Sequence, residues 1–262
     1  MAKLSKAKRL AKDFSDELLG LTTVAAIGGG LNPAVHARLL ESVFVKAFTE
    51  FEWFLEELFF AILTGTTRVD GARPRIRVRD TDLARVVAGA GSGRYLTWLP
   101  LDETTARAER LLVGGQPFVR LSTRAPVRND LRRAQFVRNA TAHKSAEAQK
   151  KFQTATSHSF ATAGDFLASS SGGQTACQSI LNNLNRYGAA LVGSTAEADQ
   201  LLGPSDPIRS GAKPGAGSYD CQSCGRTYQV GIDDPLRCAV CDPPCATCGR
   251  RSASATFQEQ TN

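Results

Sequence analysis

An arginine and a histidine stand close together in the stretch QFVRNATAHKS, residues 135–145. Four residues separate Arg138 from His143, and the chain has only three histidines. An imidazole exchanges protons near neutral pH, and a guanidinium binds phosphates or carboxylates. The pair therefore has the residue types for acid–base chemistry on an anionic substrate. The spacing alone is weak evidence, because such pairs arise easily by chance in an arginine-rich chain.

Helical periodicity predicts that these residues lie on a helix from about 127 to 155. The apolar sector of that helix contains Val127, Leu131 and Ala134. At about 100° per residue Arg138 falls in the same sector, where a guanidinium needs a buried partner or a functional cleft. Asn139 and His143 share the adjoining face at i and i+4. A hydrogen bond between their side chains would hold the imidazole in one tautomer.

Basic side chains surround the pair on the same predicted helix. They are Arg128, Arg132, Arg133, Lys144, Lys150 and Lys151. Such a face favours a polyanionic partner, and the first four are the candidate contacts to it. A solvated basic helix with a capping or core histidine accounts for the same pattern without any activity. The residues by themselves leave both interpretations open.

Six of the seven cysteines fall near the end of the chain as three CxxC pairs. They are Cys221 and Cys224, Cys238 and Cys241, and Cys245 and Cys248. Two such pairs are typical of a zinc ribbon with one structural Zn²⁺ and four thiolate ligands. The first two pairs are the favoured ligands, and the third pair is the alternative to the second. Cys177 stands alone in a predicted helix and is expected to be a small buried hydrophobe.

Helical spacing dominates the chain before these cysteines. Helices are predicted at about 3–20, 32–63, 127–155 and 173–202, with further helical segments between about 80 and 114. The segments PRIRVR (74–79) and PFVRL (117–121) are predicted to pair as strands. The fold class is therefore mainly α, a helical bundle with a small β insertion and a C-terminal zinc-ribbon module.

Composition changes sharply after the helical segments, and this change sets the predicted domain boundaries. A helical domain covers 1–202, a flexible Gly/Pro/Ser linker covers 203–218, a zinc ribbon covers 219–250 and a disordered tail covers 251–262. The formal net charge is +7, which favours an anionic partner. The sequence contains no apolar run of the roughly 20 residues that would span a bilayer. A cytoplasmic protein without membrane contact is expected.

The motif RNATAH resembles the RNxxxH signature of the HEPN superfamily. The long helix containing AFTEFEWFLEELF, the segment WLPLDETTARAERLL and the segment PFVRL precede it in an order similar to HEPN domains of bacterial RNase toxins and defence systems. The resemblance covers about residues 32 to 200 and does not reach the cysteines. It implies an all-α bundle that dimerises, so that two motifs face one cleft and cut RNA without a metal.

The resemblance also implies a role for each residue of the motif. His143 would move a proton between the 2′-hydroxyl, the leaving 5′-oxygen and solvent, and Arg138 would stabilise charge on the phosphorane. Asn139 would orient His143 or bind phosphate. No acidic third member is evident, although Asp130 and Glu147 are near in sequence.

Two functions are therefore expected from the sequence. The first is a metal-independent endoribonuclease of toxin or phage-defence type, homodimeric, with an antitoxin or defence-system partner. The alternative is a non-catalytic HEPN-like interaction module that binds nucleic acid or a partner protein through its basic face and zinc ribbon. On the first hypothesis RNA contacts are expected at Arg128, Arg132, Arg133 and Lys144.

Overall fold

The computed structural model describes residues 5–89, 96–143 and 145–203, and the backbone of four short strands between residues 208 and 259. The helices in these ranges are α1 (Lys6–Ile27), α2 (Pro33–Leu63), α3 (Thr81–Ala88), α4 (Leu101–Leu111), α5 (Val119–Ser122), α6 (Ala125–Ala142), α7 (Ala146–Ala155), α8 (Ala163–Ala168), α9 (Ala176–Val192) and α10 (Thr195–Leu202). The described part of the chain is mainly helical, as predicted. None of its helices combines the length and the hydropathy that crossing a membrane would require.

Helix α2 lies at the centre of the bundle, with α1, α6, α8 and α9 packed around it. Its start is set by Asn32, whose side-chain oxygen accepts from the Ala34 amide at 3.0 Å, and by Pro33 in the first turn. The largest side chains that α2 buries are Phe44, Phe48, Phe51, Phe54 and Phe59. The predicted long helix at 32–63 is confirmed, and its C-terminal part is buried on all sides.

Helices α1 and α9 approach α2 closely at one point. The Phe14 ring stacks on the Phe54 ring with 5.1 Å between centroids. A Cβ atom at Gly188 of α9 would lie 2.9 Å from the Phe14 ring, so glycine is needed for this approach. Helix α1 also continues to Ile27, beyond the predicted end at residue 20, and a 3₁₀ turn at Gly28–Gly30 connects it to α2.

The predicted β insertion is wrong. Residues 74–79 make a single antiparallel bridge, Pro74 with Leu112, and residues 119–122 form the one-turn helix α5. Phe118 and Leu121 are fully buried in the helical core, at a spacing that suits a helical turn better than a strand. Within the helical domain the described strands are β1 (Ser170–Ser171) and β2 (Gln174–Thr175), a two-stranded hairpin before α9.

Two of the predicted helices are each divided in two. The helix expected from 127 to 155 ends at Ala142, and α7 starts again after Ser145, whose hydroxyl accepts from the Ala148 amide at 3.2 Å. The helix expected from 173 to 202 is broken between α9 and α10, where Ser194 and Glu197 form a capping box. In both places a serine N-cap starts a new helix, which a periodicity argument does not register.

The segment after residue 203 is described only as four strands. They are β3 (Ile208–Arg209), β4 (Gly217–Cys221), β5 (Thr227–Val230) and β6 (Thr256–Glu259), antiparallel in the order β3-β6-β4-β5. Strand β3 and the start of β4 fall in the predicted linker, and β6 falls in the predicted tail. Strand-forming residues thus lie on both sides of the predicted zinc ribbon.

A buried arginine joins α5 to the last two helices. The Arg120 side chain is 3% exposed. Its guanidinium donates to the main-chain oxygens of Ala190 at 3.0 Å, Gly193 at 2.7 Å and Asp70 at 3.0 Å. Because these carbonyls lie at the end of α9 and in the loop after α2, one side chain fixes three segments that are distant in sequence.

A second buried arginine holds the start of α6. The Arg124 guanidinium donates to the Gly203 oxygen at 2.6 Å and the Arg120 oxygen at 2.7 Å, and it pairs with the Asp199 carboxylate. Arg124 is also the residue that precedes the first turn of α6. The helix that carries the RNATAH motif is therefore anchored at its beginning by a charged network, and its motif lies at the opposite end.

Candidate active site

The three motif residues lie at the C-terminal end of α6. Arg138 is half-buried, and its Nη1 donates to the side-chain oxygen of Asn139 at 3.3 Å. His143 follows the last helical residue, has an extended backbone and is exposed. Arg138 and His143 are about one and a half turns apart along the chain. The arrangement places a partly desolvated cation and an accessible imidazole at one end of a helix.

The predicted side-chain hydrogen bond between Asn139 and His143 is absent. The His143 main-chain amide donates to the Asn139 carbonyl at 2.8 Å, while the Asn139 side chain accepts from Arg138. Because the helix ends at Ala142, His143 leaves the helical path and no longer stands one turn above Asn139. Asn139 therefore orients the guanidinium, and the imidazole is exposed to solvent.

The carboxylate of Glu52, on α2, is close enough to Arg138 for the two charges to interact, although among the described residues no ion pair joins them. Burial raises the pKa of Glu52, and the positive charge of Arg138 and the Leu99 amide, which donates to this carboxylate, oppose the rise. Glu52 is the acidic neighbour of the motif that sequence reasoning missed. The available signal was the stretch FEWFLEELFF, in which three glutamates lie among apolar residues, where a carboxylate needs a partner.

One turn after Glu52, Glu56 of α2 contacts residues of other segments. The Glu56 carboxylate accepts from the Trp98 indole Nε1 at 2.9 Å and lies 3.4 Å from the Arg85 guanidinium. The Arg107 guanidinium stacks over the Trp98 ring at 4.7 Å from its centroid. Trp98 itself is buried. The segment WLP at residues 98–100 thus docks on α2 beside both acids, and its Leu99 amide is positioned to reach Glu52.

The two acids named from sequence face elsewhere. Asp130 accepts from the Tyr187 hydroxyl at 3.1 Å and the Asn183 amide at 3.3 Å, both on α9. Burial, followed by the charge of Asp130, raises the Tyr187 pKa. Glu147 forms an exposed pair with Lys151 at 2.7 Å. Neither acid contacts Arg138, because each lies on another flank or another helix.

The predicted RNA-binding arginines point in different directions. Arg128 donates to the Ser122 carbonyl and is half-buried. Arg132 is exposed over the Phe136 ring, and Arg133 lines a cavity of about 350 Å³ between α6 and α9. At about 100° per residue, Arg132 and Arg133 are about 120° and 140° around α6 from Arg138. These arginines do not form one continuous face with Arg138, and Lys144 lies outside the described residues.

The predicted zinc ligands lie almost wholly outside the described residues. The backbone of Cys221 is at the end of β4, which pairs antiparallel with β5 from Thr227. Cys224, Cys238, Cys241, Cys245 and Cys248 lie outside the described residues. Cys177 is buried with its thiol pKa raised to about 12 by desolvation, which confirms its prediction as a buried small side chain.

Replacing Glu52 by glutamine is expected to change how stability depends on pH. The raised pKa means that the folded protein keeps this proton to higher pH than the unfolded chain does. The contribution of Glu52 to stability is therefore largest below the ordinary glutamate pKa of about 4.3 and is lost as the pH rises through the folded pKa. Glutamine stays neutral, so the variant should gain stability relative to wild type as the pH rises above the ordinary glutamate pKa of about 4.3.

Urea unfolding from about pH 4 to about pH 8 measures this effect. Glu109→Gln is the matched control, because Glu109 is exposed. A stability difference between wild type and Glu52→Gln that stays constant from about pH 4 to about pH 8 would contradict a desolvated carboxyl at this position.

Comparison with family models, with curated proteins and with solved structures finds no match to this chain. A function must therefore be inferred from the residues of the chain itself.

Proposed function

We propose that this protein is a metal-independent endoribonuclease in which Arg138, Asn139 and His143 form the active site. The observation that supports it is a half-buried guanidinium, hydrogen-bonded to Asn139, at the same helix end as an exposed imidazole. A partly desolvated cation stabilises developing negative charge more strongly than a solvated one. An exposed histidine can exchange its proton with both substrate and solvent.

In the proposed reaction an imidazole removes the proton of the ribose 2′-hydroxyl, and that oxygen attacks the adjacent phosphorus. Arg138 stabilises the extra negative charge of the phosphorane. The bond from phosphorus to the 5′-oxygen then breaks, and an imidazolium returns a proton to that oxygen. The products are a 2′,3′-cyclic phosphate and a 5′-hydroxyl. In the proposed homodimer, the His143 residues of both copies face one cleft and share these two proton transfers.

Glu52 has a positioning role in this proposal. The opposite charges of Glu52 and Arg138 attract each other and partly offset the cost of burying either one. The Asn139 side-chain oxygen accepts from the same guanidinium, so one hydrogen bond and one charge interaction act on it. Fixing the guanidinium before RNA arrives avoids reorganisation during the reaction, which is the main advantage of an electrostatic site.

The test uses the purified full-length chain with total RNA and with tRNA in the presence of EDTA. Fragments are resolved on a denaturing gel, and their ends are assigned by phosphatase and kinase treatment. We expect cleavage with 2′,3′-cyclic phosphate ends. Fragments with 3′-hydroxyl ends would contradict attack by the 2′-hydroxyl. Salt-dependent RNA binding without any cleavage would support the non-catalytic interaction module instead.

For the C-terminal segment we propose one structural Zn²⁺ held by four thiolates. The favoured ligands are Cys221, Cys224, Cys238 and Cys241, and Cys245 and Cys248 are the alternative second pair. The antiparallel pairing of β4 with β5 supports this proposal, because the first CxxC pair begins at the last residue of β4 and ends before β5 in the sequence. A coordinatively closed site supplies folding energy to a short segment and no catalysis.

Modification of all thiols is expected to release about one equivalent of zinc per chain, measured with a chromogenic chelator. Cys221→Ser should lower the bound zinc, and Cys177→Ser is the matched control, since Cys177 is buried in the helical core. RNA cleavage in EDTA should persist, because the proposed reaction uses no metal ion. No zinc in protein purified under reducing conditions would exclude the ribbon.

A further inference from the structure

The loop between α2 and α3 carries a second concentration of positive charge. Residues 65–79 include Arg68, Arg73, Arg75, Arg77 and Arg79. Arg68, Arg73 and Arg77 line a groove of about 780 Å³ together with Gly71 and Pro74. We call these three arginines and the space between them the arginine groove. All three are exposed.

The backbone around the arginine groove is held in place. The Val113 amide donates to the Arg73 carbonyl at 2.8 Å, and the Arg75 amide donates to the Leu111 carbonyl at 2.9 Å, so this strand-like segment is fixed to the end of α4. A Cβ atom at Gly65, whose φ is +72°, would lie 3.0 Å from the Arg77 guanidinium. Glycine at this turn therefore lets the Arg77 side chain lie against the backbone.

The charges of the groove are not balanced within the described part of the chain. Asp70 also lines it, but its carboxylate lies 3.9 Å from the buried Arg120 and accepts from the Thr195 amide at 3.2 Å. Among the described residues no ion pair joins Arg68, Arg73 or Arg77 to a carboxylate. Three exposed guanidiniums around one concave space favour a ligand with several negative charges.

We propose that the arginine groove binds the phosphodiester backbone of single-stranded RNA. This proposal rests on the proposed function for the identity of the polyanion. Guanidiniums bind phosphate oxygens bidentately, and an open groove suits a continuous backbone better than a single small anion. The groove lies at the C-terminal end of α2, about 15 to 20 Å along the helix from Glu52. RNA held there contacts the protein several nucleotides away from the motif at the end of α6.

The test measures binding of the full-length protein to a fluorescein-labelled 2′-O-methyl oligoribonucleotide, which lacks the attacking hydroxyl and cannot be cleaved. Fluorescence anisotropy is recorded against salt for wild type, for Arg73→Gln with Arg77→Gln, and for the matched control Arg9→Gln with Arg38→Gln. The control cations are exposed on α1 and α2. The slope of log K against log salt should fall by about 1.4 in the groove variant, from about 0.7 per lost phosphate contact, and remain near wild type in the control.

The other outcomes either overturn the proposal or separate it from the proposed nuclease activity. Equal slopes in all three proteins would overturn it, as would no binding of RNA by the wild type. If the groove variant no longer binds polyglutamate but keeps the wild-type salt slope for RNA, the proposal is overturned. The groove would then bind an acidic protein segment. If RNA binding depends on the groove but ordinary RNA is not cleaved, the groove proposal is supported and the proposed ribonuclease activity is contradicted. If RNA is cleaved but its binding does not depend on the groove, the ribonuclease proposal is supported and the groove proposal is contradicted. If the double variant shows no thermal unfolding transition, Arg68→Gln is measured in its place. Its slope of log K against log salt should fall by about 0.7.

Discussion

Replacing His143 by alanine is expected to lower the rate of RNA cleavage at least about a hundredfold, the lower range for loss of a general acid–base group. The melting temperature should stay nearly unchanged. His143 is exposed and follows the last residue of α6, so its side chain contributes little packing, and an exposed substitution typically changes stability by less than about 0.5 kcal/mol. Initial rates on tRNA in EDTA and thermal denaturation of the same preparations measure the two effects.

The control for this variant is His158→Asn. His158 is also exposed but has a φ of +57°, a conformation that asparagine tolerates better than alanine does. The control should cleave RNA at the wild-type rate. If His143→Ala melts several degrees lower than wild type, the residue has a structural role. If it is stable and cleaves normally, the imidazole takes no part in the reaction.

Replacing Arg120 by methionine is expected to lower the free energy of unfolding by about 3 to 5 kcal/mol. Methionine fills much of the same volume but donates no hydrogen bond. The carbonyl oxygens of Ala190 and Gly193 would lose their guanidinium donor next to the buried core, and each such loss costs about 1 to 3 kcal/mol. The same substitution removes the tie between α5 and the end of α9. Urea denaturation followed by circular dichroism measures the change.

Arg38→Met is the matched control, because Arg38 is exposed on α2 and should change stability by less than about 0.5 kcal/mol. Arg120→Lys keeps the charge but can satisfy fewer of these acceptors, so its stability should fall between wild type and methionine. This variant also provides a folded comparison if Arg120→Met does not accumulate as folded protein. A loss below about 1 kcal/mol for methionine would show that the carbonyls find other donors at little cost.

The amino-acid sequence by itself determined the local features of this protein. Apolar spacing predicts α2 and its extent, and Asn32 with Pro33 marks its start, because these signals act between residues within one or two turns. The apolar sector of α6 was also predictable, including the half-buried position of Arg138. Predictions from the local sequence were wrong where two local signals compete. Ser145 starts α7 inside a continuous helical periodicity, and the alternation of PRIRVR imitates a strand.

Only the tertiary structure decided which groups lie next to the buried and half-buried arginines. Periodicity places Arg138 in the apolar sector of α6, but the carboxylate whose charge interacts with it is Glu52, on a helix much earlier in the chain. The same holds for Arg120, whose acceptors are carbonyls of α9 and of the loop after α2. Side-chain identity carries no information about such partners, since any helix with a complementary surface could supply them. The partners become fixed when the helices pack, because a desolvated guanidinium is stable only where that packing brings acceptors to it.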